Sequence, residues 1–289
     1  MRKIIDRIFP LPSTPGMVGD GFRVFNIIPG VGISQQRISP FLMLDFNAEF
    51  EFAPSEKIKG VNVHPHKGFE TVTIAYKGSV AHHDSAGNSG VINPGDVQWM
   101  TAGRGILHKE YHAKEYSKRG GPFEMVQLWV NLPKKDKSTI PHYQDLKAEQ
   151  IGKVILPDNA GLINIIAGSF KDVTGPAHTY TPVNLFDIKL KEEGKVKLDI
   201  PSGHNTALLL VNGSVEVNGI RVREHSFILF KNEGVEIIIK AMVDSVILLL
   251  SGEPINEPIA SYGPFVMNTQ EEIYDAIEDY QAGKFGMLE

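Results

Sequence analysis

Glycine and proline recur along the whole chain instead of pooling in one block, and short runs of β-branched and aromatic residues lie between them. That punctuation leaves little room for helices and marks an all-β protein. The pattern predicts strands over 69–76, 79–83, 97–100, 106–111 and 123–132, with turns at Lys77-Gly78, Asn93-Pro94-Gly95-Asp96 and Ala102-Gly103-Arg104-Gly105. A second series is expected over 184–191, 206–211, 214–217, 226–230, 235–239 and 245–250. The charged, weakly periodic stretch 133–153 reads as the connection between them. One helix is expected near the end, where Thr269 and Glu272 fit a capping box and Ile273, Ile277 and Tyr280 share a face before Gly283. Short strands with regular turns suggest sandwiches or barrels, and 289 residues suffice for two.

Composition removes several classes of function. The 34 acidic and 29 basic residues leave a net charge of −5, which argues against a strongly basic nucleic-acid clamp. No direct nucleic-acid binding is therefore expected. The absence of cysteine excludes disulfides, thiolate metal sites, iron–sulfur clusters and a cysteine nucleophile. The longest apolar run, Val246 to Leu250, is far too short to span a bilayer. The charged start, Met1-Arg2-Lys3-Ile4-Ile5-Asp6-Arg7, has no secretory apolar core, so a cytoplasmic protein is expected.

The histidines carry the chemistry. Six of the ten fall within residues 64–112, where even scatter would place fewer than two. Pro65 between His64 and His66 argues against a helix interior, and in an extended segment residues two apart point to one side. His108 and Glu110 repeat that spacing on a second expected strand. Two such pairs on neighbouring strands would gather three imidazoles and one carboxylate. That set suits one divalent transition metal and neither calcium nor magnesium. Four protein ligands would close a tetrahedral zinc site. Octahedral iron, manganese, nickel or cobalt would keep two positions open for water, oxygen or a substrate.

The remaining candidates have plainer readings. His82 and His83 are adjacent and point to opposite faces, so each reads as a surface or supporting residue. His112 continues the alternation of His108 and Glu110, but a third ligand on one strand would crowd a single ion. Glu70, four residues beyond His66 and expected to face inward, could be a fifth ligand, a carboxylate orienting an imidazole, or a strand residue. Trp99 and Trp129 read as core, or as walls of a pocket beside the metal.

The pattern Gly60-x3-His64-x-His66-x3-Glu70-x7-Gly78 resembles the first cupin motif, and Gly103-x-Gly105-x2-His108 resembles the second. The runs 64–73, 93–108, 127–133 and 263–269 narrow the resemblance to the pirin family. It implies a bicupin of two face-to-face jelly-roll β-barrels with a short C-terminal helix. Residues 1–135 would be the N-terminal metal-binding domain, and 136–289 a degenerate, metal-free one. It also implies that His64, His66, His108 and Glu110 ligate the metal, iron(II) first, with manganese, nickel, cobalt, copper or zinc as alternatives. The activity implied is a quercetin 2,3-dioxygenase-like oxidoreductase acting on a flavonol-like small molecule and O2, with Glu110 as the catalytic base. The alternative is an iron-binding regulator or transcription co-regulator that works through a protein partner, nuclear if eukaryotic.

Aligning Gly213 with Gly78, and Gly234 with Gly105, tests the second half against the first. Asp199 and Pro201 then take the places of His64 and His66, and Ile237 and Ile239 those of His108 and Glu110. Such a set would not hold a metal, so the second barrel is expected to be structural.

Overall fold

The computed structural model describes residues 1–289. In chain order its strands begin with β1 (Ile5–Pro10), β2 (Gly16–Val18), β3 (Phe22–Ile28), β4 (Phe41–Phe52), β5 (Gly60–His66) and β6 (Phe69–Lys77). They continue with β7 (Val80–Asp84), β8 (Ser89–Ile92), β9 (Val97–Thr101), β10 (Ile106–His112), β11 (Gly121–Asn131) and β12 (His142–Leu146). The second series is β13 (Gly152–Ile155), β14 (Gly161–Ala167), β15 (Ser169–Phe170), β16 (Val173–Thr174), β17 (Val183–Leu190) and β18 (Lys195–Asp199). After these come β19 (Asn205–Asn212), β20 (Ser214–Val217), β21 (Ile220–Arg223), β22 (Ser226–Phe230), β23 (Glu236–Ala241) and β24 (Ser245–Gly252). A last hairpin, β25 (Ala260–Tyr262) and β26 (Phe265–Met267), precedes the C-terminal helix. Helices α1 (Gln35–Ile38) and α2 (Lys114–Arg119) are short; α3 (Gln270–Gln281) is the one extended helix, and no helix could cross a membrane.

The strands form two barrels, each a seven-stranded sheet with a four-stranded partner. The first orders its sheets β12-β9-β6-β11-β4-β3-β2 and β5-β10-β7-β8. The second orders them β1-β22-β19-β24-β17-β14-β13 and β18-β23-β20-β21. The two arrangements correspond strand for strand. Edge strand β12 of one sheet has its counterpart in β1 of the other, although β1 begins the chain.

The division at 135/136 is therefore replaced by an interleaved one. The first barrel comprises residues 12–36, 41–148 and 255–289; the second comprises 1–11, 37–40 and 149–254. Sheet edges need partners, and that need decides the assignment. Strand β1 pairs with β22, Ile5 opposite Phe230. Strand β12, inside the stretch read as a connection, pairs with β9, His142 opposite Thr101. The C-terminal segment stays with the first barrel: Lys67 bridges to Phe265, and its Nζ lies 2.6 Å from Asp279 Oδ2. Helix α3 starts on the expected capping box and buries Ile273 and Ala276, while Tyr280 is exposed.

The second barrel is filled mainly by aliphatic side chains from both of its sheets, with Phe186 and Phe230 among them. Its register corrects the glycine-based alignment by one residue. His64 stands opposite His108 in the first barrel, whereas Ile237 stands opposite Leu198, and Asp199 faces Glu236. The inward places thus fall to Leu198 and Ile200, both buried, while Asp199 is exposed. A one-residue slip moves every side chain to the other face. The chemical contrast sharpens: Leu198, Ile200, Ile237 and Ile239 stand where the first barrel carries histidines and a carboxylate.

Candidate metal centre

Strand β5 is the edge of its four-stranded sheet, where a proline can be tolerated. Pro65 sits opposite Leu107, and the extended backbone turns His64 and His66 to one side. On β10 the burial alternates, so Ile106, His108, Glu110 and His112 all point inward. The turn before β10 needs its glycine: Gly105 has φ +123°, and a Cβ there would overlap the Phe285 ring.

The register brings the three imidazoles together. Ring centroids lie 4.2 Å apart for His64 and His108, 4.7 Å for His66 and His108, and 4.8 Å for His64 and His66. One ligand atom from each lies within 4.8 Å of the other two. His64 donates from Nδ1 to the Asn62 carbonyl at 2.8 Å, which leaves Nε2 as its lone-pair nitrogen. His66 Nδ1 and both ring nitrogens of His108 are buried without a hydrogen-bond partner. Burial holds the His66 and His108 imidazoles well below their ordinary pKa, with neighbouring histidines adding to the effect. Buried, neutral, unpartnered nitrogens converging on one point are what a transition-metal ion requires. The residues fit the ion.

Glu110 lines the same cavity but stands outside that close group of three. A bulge between His108 and Glu110 shifts its partner on β5 to Val61. Its Oε1 accepts from Thr73 Oγ1 at 3.3 Å, and the same hydroxyl donates to Gln127 Oε1 at 2.8 Å. Burial pushes the Glu110 carboxyl up to about 7, against the opposing pull of the Thr73 bond. The cavity measures about 380 Å³, and Phe22, Met43, Met125 and Trp129 form much of its apolar wall. Trp129 meets His66 edge to face at 5.2 Å.

Glu70 does not face the metal site. It stands opposite Val130 and Thr101, on the face of the sheet away from Gln127 and Trp129. There its Oε1 accepts from Thr101 Oγ1 at 2.7 Å, and burial raises its pKa to about 7. His112 is enclosed by Phe22, Phe52, Tyr116 and Phe123 and donates from Nε2 to the Gly21 carbonyl at 2.8 Å, so it is core. His82 is buried and stacks on Tyr143, while His83 hydrogen-bonds the Tyr111 hydroxyl at 2.6 Å. Trp99 is fully buried core, and Trp129 is the tryptophan at the cavity. Sequence reasoning passed over Asp45 and Asn47, which also line the cavity. Their signal was two polar residues at alternate places in the otherwise apolar start of β4.

Models for pirin and for the pirin C-terminal cupin domain match residues 21–130 and 185–286. The chain belongs to the pirin family. Among pirin relatives, a Pseudomonas aeruginosa protein named "Putative quercetin 2,3-dioxygenase PA2418" is 48% identical over 268 residues, 93% of each chain. Pirin-like protein 2 of Arabidopsis thaliana is 39% identical, covering 89% of this chain and 79% of its own. The crystal structure titled quercetin 2,3-dioxygenase from Acinetobacter baumannii superposes with a TM-score of 0.94 at 44% identity, over the whole of both chains. Both barrels are cupins, as the resemblance implied, and the three-histidine group of this pirin suits a transition metal.

Proposed function

We propose that this pirin is an iron-dependent dioxygenase of the quercetin 2,3-dioxygenase type, acting on a flavonol-like small molecule and O2. The observation that carries the reading is a close group of three neutral imidazoles, two of which, His64 and His66, line an apolar cavity that also holds the buried Glu110 carboxyl. The names borne by the Pseudomonas and Acinetobacter relatives support it. His64, His66 and His108 would hold the ion, with Glu110 completing the set as a fourth ligand. Bound there, iron(II) would offer open positions to a substrate's hydroxyl and carbonyl oxygens and redox chemistry toward O2.

The chain's own residues supply the rest. Phe22, Met43, Met125 and Trp129 accept a flat aromatic body and displace water around it. Glu110 takes the proton of the substrate hydroxyl. Its carboxyl starts from about 7, and a nearby cation would favour the ionised form that can accept. Thr73, shared between Glu110 and Gln127, fixes the carboxylate's direction.

Metal-stripped protein reloaded separately with iron, manganese, nickel, cobalt, copper and zinc tests this, with oxygen uptake on quercetin as the readout. Iron should give the fastest uptake. No uptake with any of the six would overturn the reading.

A further inference from the structure

Strand β4 lies beside β11 so that Met43 faces Trp129, Asp45 faces Gln127 and Asn47 faces Met125. All six side chains line the cavity. Trp129 marks the histidine end, since its ring touches that of His66. Asn47 lies four residues beyond Met43 along the strand, on the order of 13 Å away at the usual strand rise. The polar groups between these ends have partners. Asp45 Oδ1 accepts from Asn26 Nδ2 at 2.7 Å, and Gln127 Oε1 accepts from Thr73.

Asn47 differs. It is 1% exposed, and neither its Nδ2 nor its Oδ1 has a hydrogen-bond partner. A buried carboxamide left unpaired is destabilising, so a ligand that pairs with it gains affinity and one that cannot gains none. Its cross-strand partner Met125 and the cavity residues Phe22 and Val24 offer nothing polar in exchange.

We propose that Asn47 is a specificity-determining residue that reads a phenolic hydroxyl on the part of the substrate farthest from its metal-chelating oxygens. The inference rests on the flavonol reading of the site. A carboxamide carries a donor and an acceptor on one carbon, and a phenol is also both, so one hydroxyl satisfies either group and a vicinal pair satisfies the two together. The Met43–Asn47 span along the cavity wall is comparable with the length of a three-ring flavonol that enters from the histidine end.

The test is binding of two ligands to iron-loaded, full-length protein under argon, followed by quenching of tryptophan fluorescence. Quercetin carries two hydroxyls on its distal ring; galangin has the same chelating oxygens and a bare distal ring. Wild type should bind quercetin about tenfold tighter or better, a margin typical of losing a buried hydrogen-bond partner. In Asn47→Leu and Asn47→Ala the preference should fall to about twofold or less, chiefly through weaker quercetin binding. Should the leucine variant fail to fold, the alanine variant carries the comparison. A variant that keeps the wild-type preference, or a wild type without one, overturns the role of Asn47 while flavonol binding itself stands. Binding of neither ligand to wild type overturns the flavonol reading, and this inference with it.

Discussion

His108 stands directly opposite His64 across the antiparallel pair β10–β5, with ring centroids 4.2 Å apart. The three-histidine group is thus set by strand register, not by a loop. Because β10 is flanked by β5 on one side and β7 on the other, its position is held from both sides.

Removing His108 should take the ion away. His108→Ala leaves two imidazoles and is expected to lower metal content by about tenfold or more at matched free metal. A ligand that binds only the folded state stabilises it by mass action, so a chelator should lower the melting temperature of wild type. The variant's melting temperature should not respond. Metal analysis paired with thermal melts, with and without chelator, reads both effects.

Glu110 should separate from the histidines in kinetics. Glu110→Gln keeps the shape and one oxygen donor but removes the basic carboxylate. At matched iron content, oxygen uptake with quercetin should fall by about 10²–10⁴, the usual range for lost general-base help. Uptake at the wild-type rate would remove the base role.

The buried carboxyl of Glu70 makes a pH prediction that does not involve the metal. Its pKa rises from 4.5 to about 7 through burial. Below pH 4.5 folded and unfolded chains both hold the proton. Between 4.5 and about 7 only the folded chain does, so the stability contributed by Glu70 is lost as pH rises through that window. Glu70→Gln removes this dependence. In metal-free protein the variant should gain on wild type by on the order of 3 kcal/mol between pH 5 and pH 8. Denaturant melts at the two pH values test it, and an unchanged difference contradicts it.

The reach of the sequence is clearest in Glu70 and in the edge strands. The grouping of His64, His66 and His108 and the inward place of Glu110 were legible because alternation along a strand is a local property. Counting from His66 to Glu70, however, crosses the turn at Lys67-Gly68, where Gly68 has φ +89°, and such a turn resets which face a residue takes. The same one-residue sensitivity displaced Asp199 from Leu198's place in the second barrel. Strand β12 hid in a charged stretch because its role is to cover β9, far back in the chain. The strand β1, for the same reason, belongs to a barrel built mostly from residues beyond 148. Asp45 and Asn47 show as alternate polar places on β4, but that pattern alone does not separate a side chain lining a cavity from one facing water.

The second barrel should bind no metal and should respond to its core positions as aliphatic packing does. Leu198→Ala or Ile237→Ala, both at fully buried sites, is expected to cost about 2–5 kcal/mol in stability. Metal content should stay at one ion per chain in wild type and in both variants. A second ion lost with either substitution would contradict the assignment.

The most direct test of the proposed reaction is the gas balance of iron-loaded protein turning over quercetin in a closed cell. One O2 should be consumed and one carbon monoxide released for each flavonol cleaved. Fully iron-loaded protein that consumes no oxygen with quercetin would contradict it.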